Sequence, residues 1–219
     1  MKRTLFILAL TLSLVSCNAE PEEDLSEELL IKAEQGDAEA QFMVGHAYDL
    51  GKGVEQDSTE AARWYLKAAK QGDWVAQNNL GVLYAEGNGV PHDYNKAHQW
   101  WLKSAEQGYE EAQCNLGVSY NFGEGVIKDH EKAVYYFLQA AKGGHPKAQY
   151  NLGIMYAEGE GIARDYMESY KWLRLSEKNG YDTNEAMDAL KSRMTSEQIA
   201  QAQRQADAFV AETEKKQKE

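Results

Sequence analysis

Gly45, Gly81, Gly117 and Gly153 stand 36 residues apart, and the text around each of them is the same. The pairs Ala40-Gln41, Ala76-Gln77, Ala112-Gln113 and Ala148-Gln149 keep that register, as do Tyr48, Tyr84, Tyr120 and Tyr156. So do the glycine pairs Gly51 and Gly53, Gly87 and Gly89, Gly123 and Gly125, Gly159 and Gly161. A period of this length marks stacked units, each too small to bury its apolar face without its neighbours. The chain is therefore expected to be a solenoid, a fold whose usual work is to offer surface.

Residues 37–72 serve as the unit. Asp37 is an N-cap, and the helix it starts runs from Ala38 to about Leu50, with Ala40, Val44, Ala47 and Tyr48 on one apolar face. Gly51-Lys52-Gly53-Val54 ends it, because glycine accepts the positive φ that closes a helix. Asp57 with Glu60, and Asp165 with Glu168, predict a capping box for a second helix; Asp93 and Asp129 are followed by Lys96 and Lys132 and keep half of it. The second helix carries Ala61, Trp64, Tyr65 and Ala68 on one face, matched by Ala97, Trp100, Trp101 and Ser104, then by Ala133, Tyr136, Phe137 and Ala140. Gly45 and its equivalents fall inside the first helix, where glycine costs about 1 kcal/mol relative to alanine. Repeating that cost is intelligible if an aromatic of the second helix packs on the bare backbone there.

The expected architecture is all-α: helix-turn-helix repeats over 37–72, 73–108, 109–144 and 145–180, within an array spanning 24–181. Leu29 to Gly36 aligns with Tyr65 to Gly72 and forms a leading half repeat. Residues 182–219 read as capping helices and a charged tail. Ala186, Met187, Leu190 and Met194 mark a short helix; Thr195 with Gln198 caps a longer one whose stripe is Ile199, Ala202, Ala206, Phe209 and Val210.

Residues 1–16 stand outside this pattern. Lys2 and Arg3 precede an apolar run from Leu5 to Val15, the layout of a secretory signal and too short for a comfortable membrane span. Leu14-Val15-Ser16-Cys17 resembles the bacterial lipobox, which implies cleavage before Cys17, its lipidation with palmitate among the acyl chains, and a tether over 17–23. Asn18 in place of aspartate points to the outer membrane of a diderm bacterium, with the protein facing the periplasm. Loss of residues 1–16 leaves 21 basic against 35 acidic residues, a balance of −14. That sign disfavours nucleic acid or an anionic lipid surface as partner, so the membrane is met through the lipid alone. Cys114 is then the one thiol not lipidated, which leaves no intramolecular disulfide.

The string Ala-Gln-x-x-Leu-Gly-x-x-Tyr-x-x-Gly-x-Gly-Val, then Asp, then Lys-Ala-x-x-Trp-Trp-x-Lys-Ser-Ala-x-x-Gly over 76–108 resembles the Sel-one-like repeat (SLR) family, similar to tetratricopeptide repeats. The fourth copy departs from it at Ser169, Arg174 and Glu177, as suits a copy with a different neighbour. The resemblance implies a right-handed α/α superhelix and a non-enzymatic adaptor whose concave groove, built by the first helices, takes a partner protein or peptide. Its lining would include Met43, Asn79, Asn115 and Asn151, the adjacent Phe42, Asn78, Cys114 and Tyr150, and further along Asp49 and Asn121. An asparagine row serves either the backbone of an extended peptide or hydrogen bonding within the stack. Acidic members of the lining favour a basic or neutral segment.

Catalytic patterns are missing. The sequence has no Ser-x-x-Lys, Gly-x-Ser-x-Gly, Cys-x-x-Cys or phosphate-binding glycine-lysine motif. His130-Glu131 starts like a zinc-protease helix, but Val134 occupies the second histidine's place; neither a metal nor a cofactor is expected. A cysteine-rich branch of the family has been described as penicillin-binding or β-lactamase-like, which leaves a cell-wall or β-lactam-related hydrolase as the alternative. This chain lacks that branch's cysteine pairs.

Overall fold

The structure, a computed structural model, describes residues 25–217. The signal segment, Cys17 and the tether lie outside the described residues. In chain order the helices are α1 Glu27–Glu34, α2 Ala38–Leu50, α3 Ser58–Lys70, α4 Trp74–Glu86, α5 Tyr94–Ala105, α6 Glu110–Phe122, α7 His130–Lys142, α8 Pro146–Glu158, α9 Tyr166–Lys178, α10 Asn184–Lys191 and α11 Ser196–Gln217. Each packs chiefly on its chain neighbours, so the even-numbered helices α2 to α8 form one layer and α1 to α9, odd-numbered, the other. The described chain has no strand and is an all-α solenoid of helical hairpins.

Local chemistry sets the helix ends. Asp37 and Asp73 accept from the backbone N–H three residues on, at 2.8 and 2.7 Å. At the other end Gly87 adopts φ +73° and its N–H returns to Leu83 O. The second loop glycine meets a harder constraint. Gly89 combines φ +68° with an approach to α3 so close that a Cβ would lie 2.1 Å from Ser58 O. Gly125 and Gly161 meet Tyr94 O and His130 O in the same way, so each loop glycine spaces its repeat against the one before.

The capping boxes expected at Asp57 and Asp165 form only in half. Both aspartates accept from the first-turn N–H groups. Their own N–H groups, which Glu60 and Glu168 would have accepted, instead donate to Tyr48 O and Tyr156 O, both at 3.0 Å. The glutamates pair with Arg63 and Lys171. The box at Thr195 and Gln198 does form both ways, at 2.8 and 3.2 Å.

The hairpin core depends on the helical glycines. A Cβ on Gly117 would sit 2.5 Å from Phe137 Cδ1, and one on Gly81 would sit 2.5 Å from Trp101 Nε1. Tyr65 lies over Gly45 in the same manner, and Leu173 replaces the aromatic over Gly153. Burying a side chain such as Phe137, 2% exposed, contributes about 2–3 kcal/mol and outweighs the roughly 1 kcal/mol that glycine costs a helix.

Between repeats a carboxamide bracket recurs. Gln41, Gln77 and Gln149 each donate to the carbonyl of Ala33, Ala69 or Ala141 at 3.0 Å. Each also accepts from Gln71, Gln107 or Asn179, the last residue of its own repeat's second helix region. The Ala-Gln pair is thus a packing alanine joined to a bonding arm. At the C-terminal end α11 covers α9: Trp172 meets Phe209 edge to face at 5.3 Å, and Arg174 pairs with Glu177 and Asp207. Two of the fourth copy's departures, Arg174 and Glu177, therefore serve that cap.

Gly117→Ala is expected to destabilise the chain despite alanine's better helix propensity, because overpacking costs about 1–3 kcal/mol. Urea unfolding checks it; a midpoint above that of the unsubstituted chain contradicts the packing account.

Candidate protein-binding face

In each first helix a second set of residues recurs at i, i+4, i+7 and i+11 and forms one half-buried to exposed stripe, its aliphatic members packed along the core's edge. In α4 these are Val75, Asn79, Val82 and Glu86; in α6 they are Glu111, Asn115, Val118 and Phe122; in α8 they are Lys147, Asn151, Ile154 and Glu158. None of them is buried. Stacking sets the stripes side by side, so Asn79, Asn115 and Asn151 form a carboxamide row with Met43 at its N-terminal end. Val82, Val118 and Ile154, one turn on, form a half-buried aliphatic row beside it. Met43 also lines an open groove of about 620 Å³ between α1 and α2.

Asn78 and Cys114, expected on this surface, are 3% and 1% exposed and lie inside the stack. They precede the stripe by one residue, and the 100° turn per residue rotates them toward the adjoining elements. Phe42 and Tyr150 share that column and are half-buried: Phe42 stacks on Tyr65, and Tyr150 tilts against Tyr181. Asp49 and Asn121, also half-buried, are engaged by the second helix of their own repeats. Tyr65 Oη–H donates to Asp49 Oδ2 at 3.1 Å, and the His130 Nδ1–H donates to Asn121 Oδ1 at 2.9 Å. Burial and the Asp49 carboxylate together push the Tyr65 phenol well above its ordinary range.

Bonding within the stack takes up part of the asparagine row. Asn115 Nδ2 donates to Asn78 Oδ1 at 3.0 Å and ties α6 to α4, while Asn78 Nδ2 donates to Asn79 Oδ1 at 3.3 Å. The Asn79 amide meets the Tyr65 phenol, so the capacity that remains is the Asn115 carbonyl and Asn151, which makes no side-chain hydrogen bond to the described residues.

A titratable cluster joins α6 to α8. His145 caps α8 by accepting from Ala148 N–H at Nδ1, and its Nε2 lies 2.7 Å from Glu111 Oε2. Burial disfavours the imidazolium, but the neighbouring Cys114 thiol and Glu111 carboxylate outweigh it and lift the His145 pKa to about 9. Taking the second proton exchanges the cap bond for an ion pair with Glu111. The hydrogen bond from His145 in turn holds the Glu111 carboxyl below its usual range. No group of three or more His, Cys, Asp or Glu side chains among the described residues is placed to hold a metal.

A model of the Sel1 repeat matches residues 38–73, 74–109, 110–145 and 146–181. The chain belongs to the Sel1 repeat family. Each match begins at the first residue of a first helix, so the family's unit is the hairpin described above. Two solved Sel1-type structures are similar to it. The c5321 protein of uropathogenic Escherichia coli, a protective antigen with an SLR fold, is 39% identical over 69% of this chain, with a TM-score of 0.68. A Sel1 repeat protein of Oxalobacter formigenes is 39% identical over 71% of this chain, with a TM-score of 0.67. The matches span 32% and 64% of those two chains, respectively. No match is found among curated proteins. Sel1 arrays are repeat scaffolds that typically mediate protein–protein interaction, and the family is generally non-enzymatic.

The motif reading of this Sel1 array passed over two exposed apolar residues on one loop corner: Phe122, 67% exposed, and Ile127, 90% exposed. Ile127 breaks the repeat against every other copy and Phe122 against two of three. Other copies carry Leu50, Glu86 and Glu158 at the first position and Glu55, Pro91 and Ala163 at the second. Comparing copies position by position exposes them; motif matching does not, because neither position belongs to the motif.

Because its pKa is depressed in the folded chain, Glu111 contributes stability above its unfolded value, about 4.3, and loses it as pH falls through the folded value. Glu111→Gln should lower stability at pH 7 by about 0.5 kcal/mol, the half-exposed pair being screened, with the difference closing as the carboxyl protonates in acid. Urea unfolding across that range measures it; a difference that does not change with pH refutes the linkage.

Proposed function

We propose that this Sel1 protein is a lipid-anchored adaptor of the bacterial cell envelope, binding a segment of a partner protein along the first-helix face. The observation that carries the reading is the pairing of the Asn79, Asn115 and Asn151 row with the Val82, Val118 and Ile154 row. Carboxamides offer donors and acceptors to an extended backbone, and an aliphatic row beside them takes alternate side chains. On the same stripes Glu111 and Glu158 are paired with His145 and Arg193, and Glu86, with no ion pair among the described residues, favours a basic or neutral segment.

The envelope placement draws on the sequence. Lys2, Arg3, the apolar run to Val15 and Cys17 support export, cleavage and acylation at Cys17, and Asn18 supports retention in the outer membrane facing the periplasm. Several acyl chains on one residue make a durable anchor where a single chain would not. The anchor leaves the array free to engage a soluble or membrane-bound partner.

Photoreactive residues at Asn79 and Asn151 should give discrete adducts with a partner in intact envelopes, several-fold above the same residue at Lys67, an exposed position on a second helix. Equal adducts at all three positions would remove the groove assignment. Separately, Cys17→Ser should abolish incorporation of labelled palmitate and release the protein from the membrane fraction; retention of both would refute the anchor.

A further inference from the structure

Three departures from the repeat meet at the junction of the second and third copies: two of them line one pocket, and the third frees another residue of its lining. In the first and second repeats a lysine of the second helix lies over the aromatic one turn before it: Lys67 Nζ is 3.4 Å from the Trp64 ring centre, and Lys103 Nζ is 4.2 Å from that of Trp100. In the third, Gln139 stands in place of the lysine, beside Tyr136. The position held by Lys70, Lys142 and Lys178 in the first, third and fourth copies is Glu106 in the second, on the helix that the third packs against. The bracket residue, Gln71, Gln107 or Asn179 elsewhere, is Gly143, with the Glu110 side chain lying over it. Gln113, the bracket's other arm, makes neither of its sisters' bonds among the described residues and is half-exposed, whereas Gln41, Gln77 and Gln149 are 6%, 5% and 0% exposed.

A pocket of about 200 Å³ results between α5, α6 and α7, lined by Leu102, Glu106, Gln113, Tyr135, Tyr136 and Gln139 together with Ala105. Tyr135 and Tyr136 meet edge to face at 5.1 Å and make its aromatic wall. Glu106 is exposed and forms no ion pair among the described residues. The site thus has an aromatic wall, a carboxylate and two carboxamides, and it lacks the cation that Lys67 and Lys103 supply over the rings of the first two repeats.

We propose that this pocket binds an arginine side chain presented by a partner protein. A planar guanidinium can lie against the tyrosines while its N–H groups reach the Glu106 carboxylate and the Gln113 and Gln139 carbonyl oxygens. The pocket opens on the second-helix side of the array, so the inference stands apart from the groove reading, and either can fail alone.

The test titrates acetyl-Gly-Arg-Gly-amide into the full-length isotope-labelled chain and follows the side-chain amide signals of Gln113 and Gln139 by NMR. Saturable shifts of both are expected, with the citrulline analogue, neutral and nearly isosteric, at least about tenfold weaker. Gln139→Lys and Glu106→Lys each install the residue that sister repeats tolerate, and each should abolish the shifts. Equal affinity for the citrulline peptide, shifts spread over the acidic surface without Gln113 and Gln139, or unchanged binding in both variants would overturn the site. Should either variant fail to fold, the arginine-to-citrulline ratio in the unsubstituted chain still decides.

Discussion

The contact on which this array depends is that of a large second-helix side chain with a first-helix backbone that carries no Cβ. Tyr65, Trp101, Phe137 and Leu173 occupy the space that a methyl would fill at Gly45, Gly81, Gly117 and Gly153. That closeness draws the two helices of each hairpin together and lets the alanines at 40, 61, 76, 97, 112, 133 and 148 bury completely or nearly so. Glycine's cost to each helix is exceeded by the apolar surface removed from water. Each hairpin still leaves an apolar side open, which is why a single one would not persist and a stack does.

Between hairpins the adhesive is partly polar. Gln41, Gln77 and Gln149 satisfy the last carbonyls of the preceding second helix and are themselves held by Gln71, Gln107 and Asn179. Buried carboxamides bonded at both ends specify one stacking register, since a slip of one residue would strand donors and acceptors away from water. The third repeat gives up this bracket and compensates elsewhere. His98 reaches across to Ser119 at 3.1 Å, Ser119 donates to Glu124 O, and His145 ties α8 to Glu111 of α6. The same repeat carries Phe122 and Ile127 at its loop corner and the unfilled pocket beside Tyr136. Irregularity, not the shared motif, is where this array acquires chemistry of its own.

Some of this was legible in the chain. Periodicity located the first helices closely and the second helices to within two or three residues, because caps such as Asp37 and stops such as Gly51 act through bonds to atoms a few residues away. Adjacent residues were harder to assign. Asn78 and Asn79, or Cys114 and Asn115, read alike as inward-pointing, yet one of each pair is buried between helices and the other faces solvent. Separating them requires the direction in which the next repeat packs. The capping boxes at Asp57 and Asp165 failed for a related reason: a carbonyl in the last turn of the first helix, Tyr48 O or Tyr156 O, holds the N–H.

By itself the sequence determined the all-α class, the unit of 36 residues, the helix ends and the residues of the hairpin core, all of which follow from short-range bonding and a strict period. Only the tertiary structure decided which polar side chains are spent inside the stack and which remain available, that Gln113 has lost its partner, and that Glu106, Gln113 and Gln139 meet around one pocket. The reason is physical: burial and hydrogen-bond satisfaction are properties of neighbours in space, and in a solenoid those neighbours stand about 30 to 35 residues away along the chain.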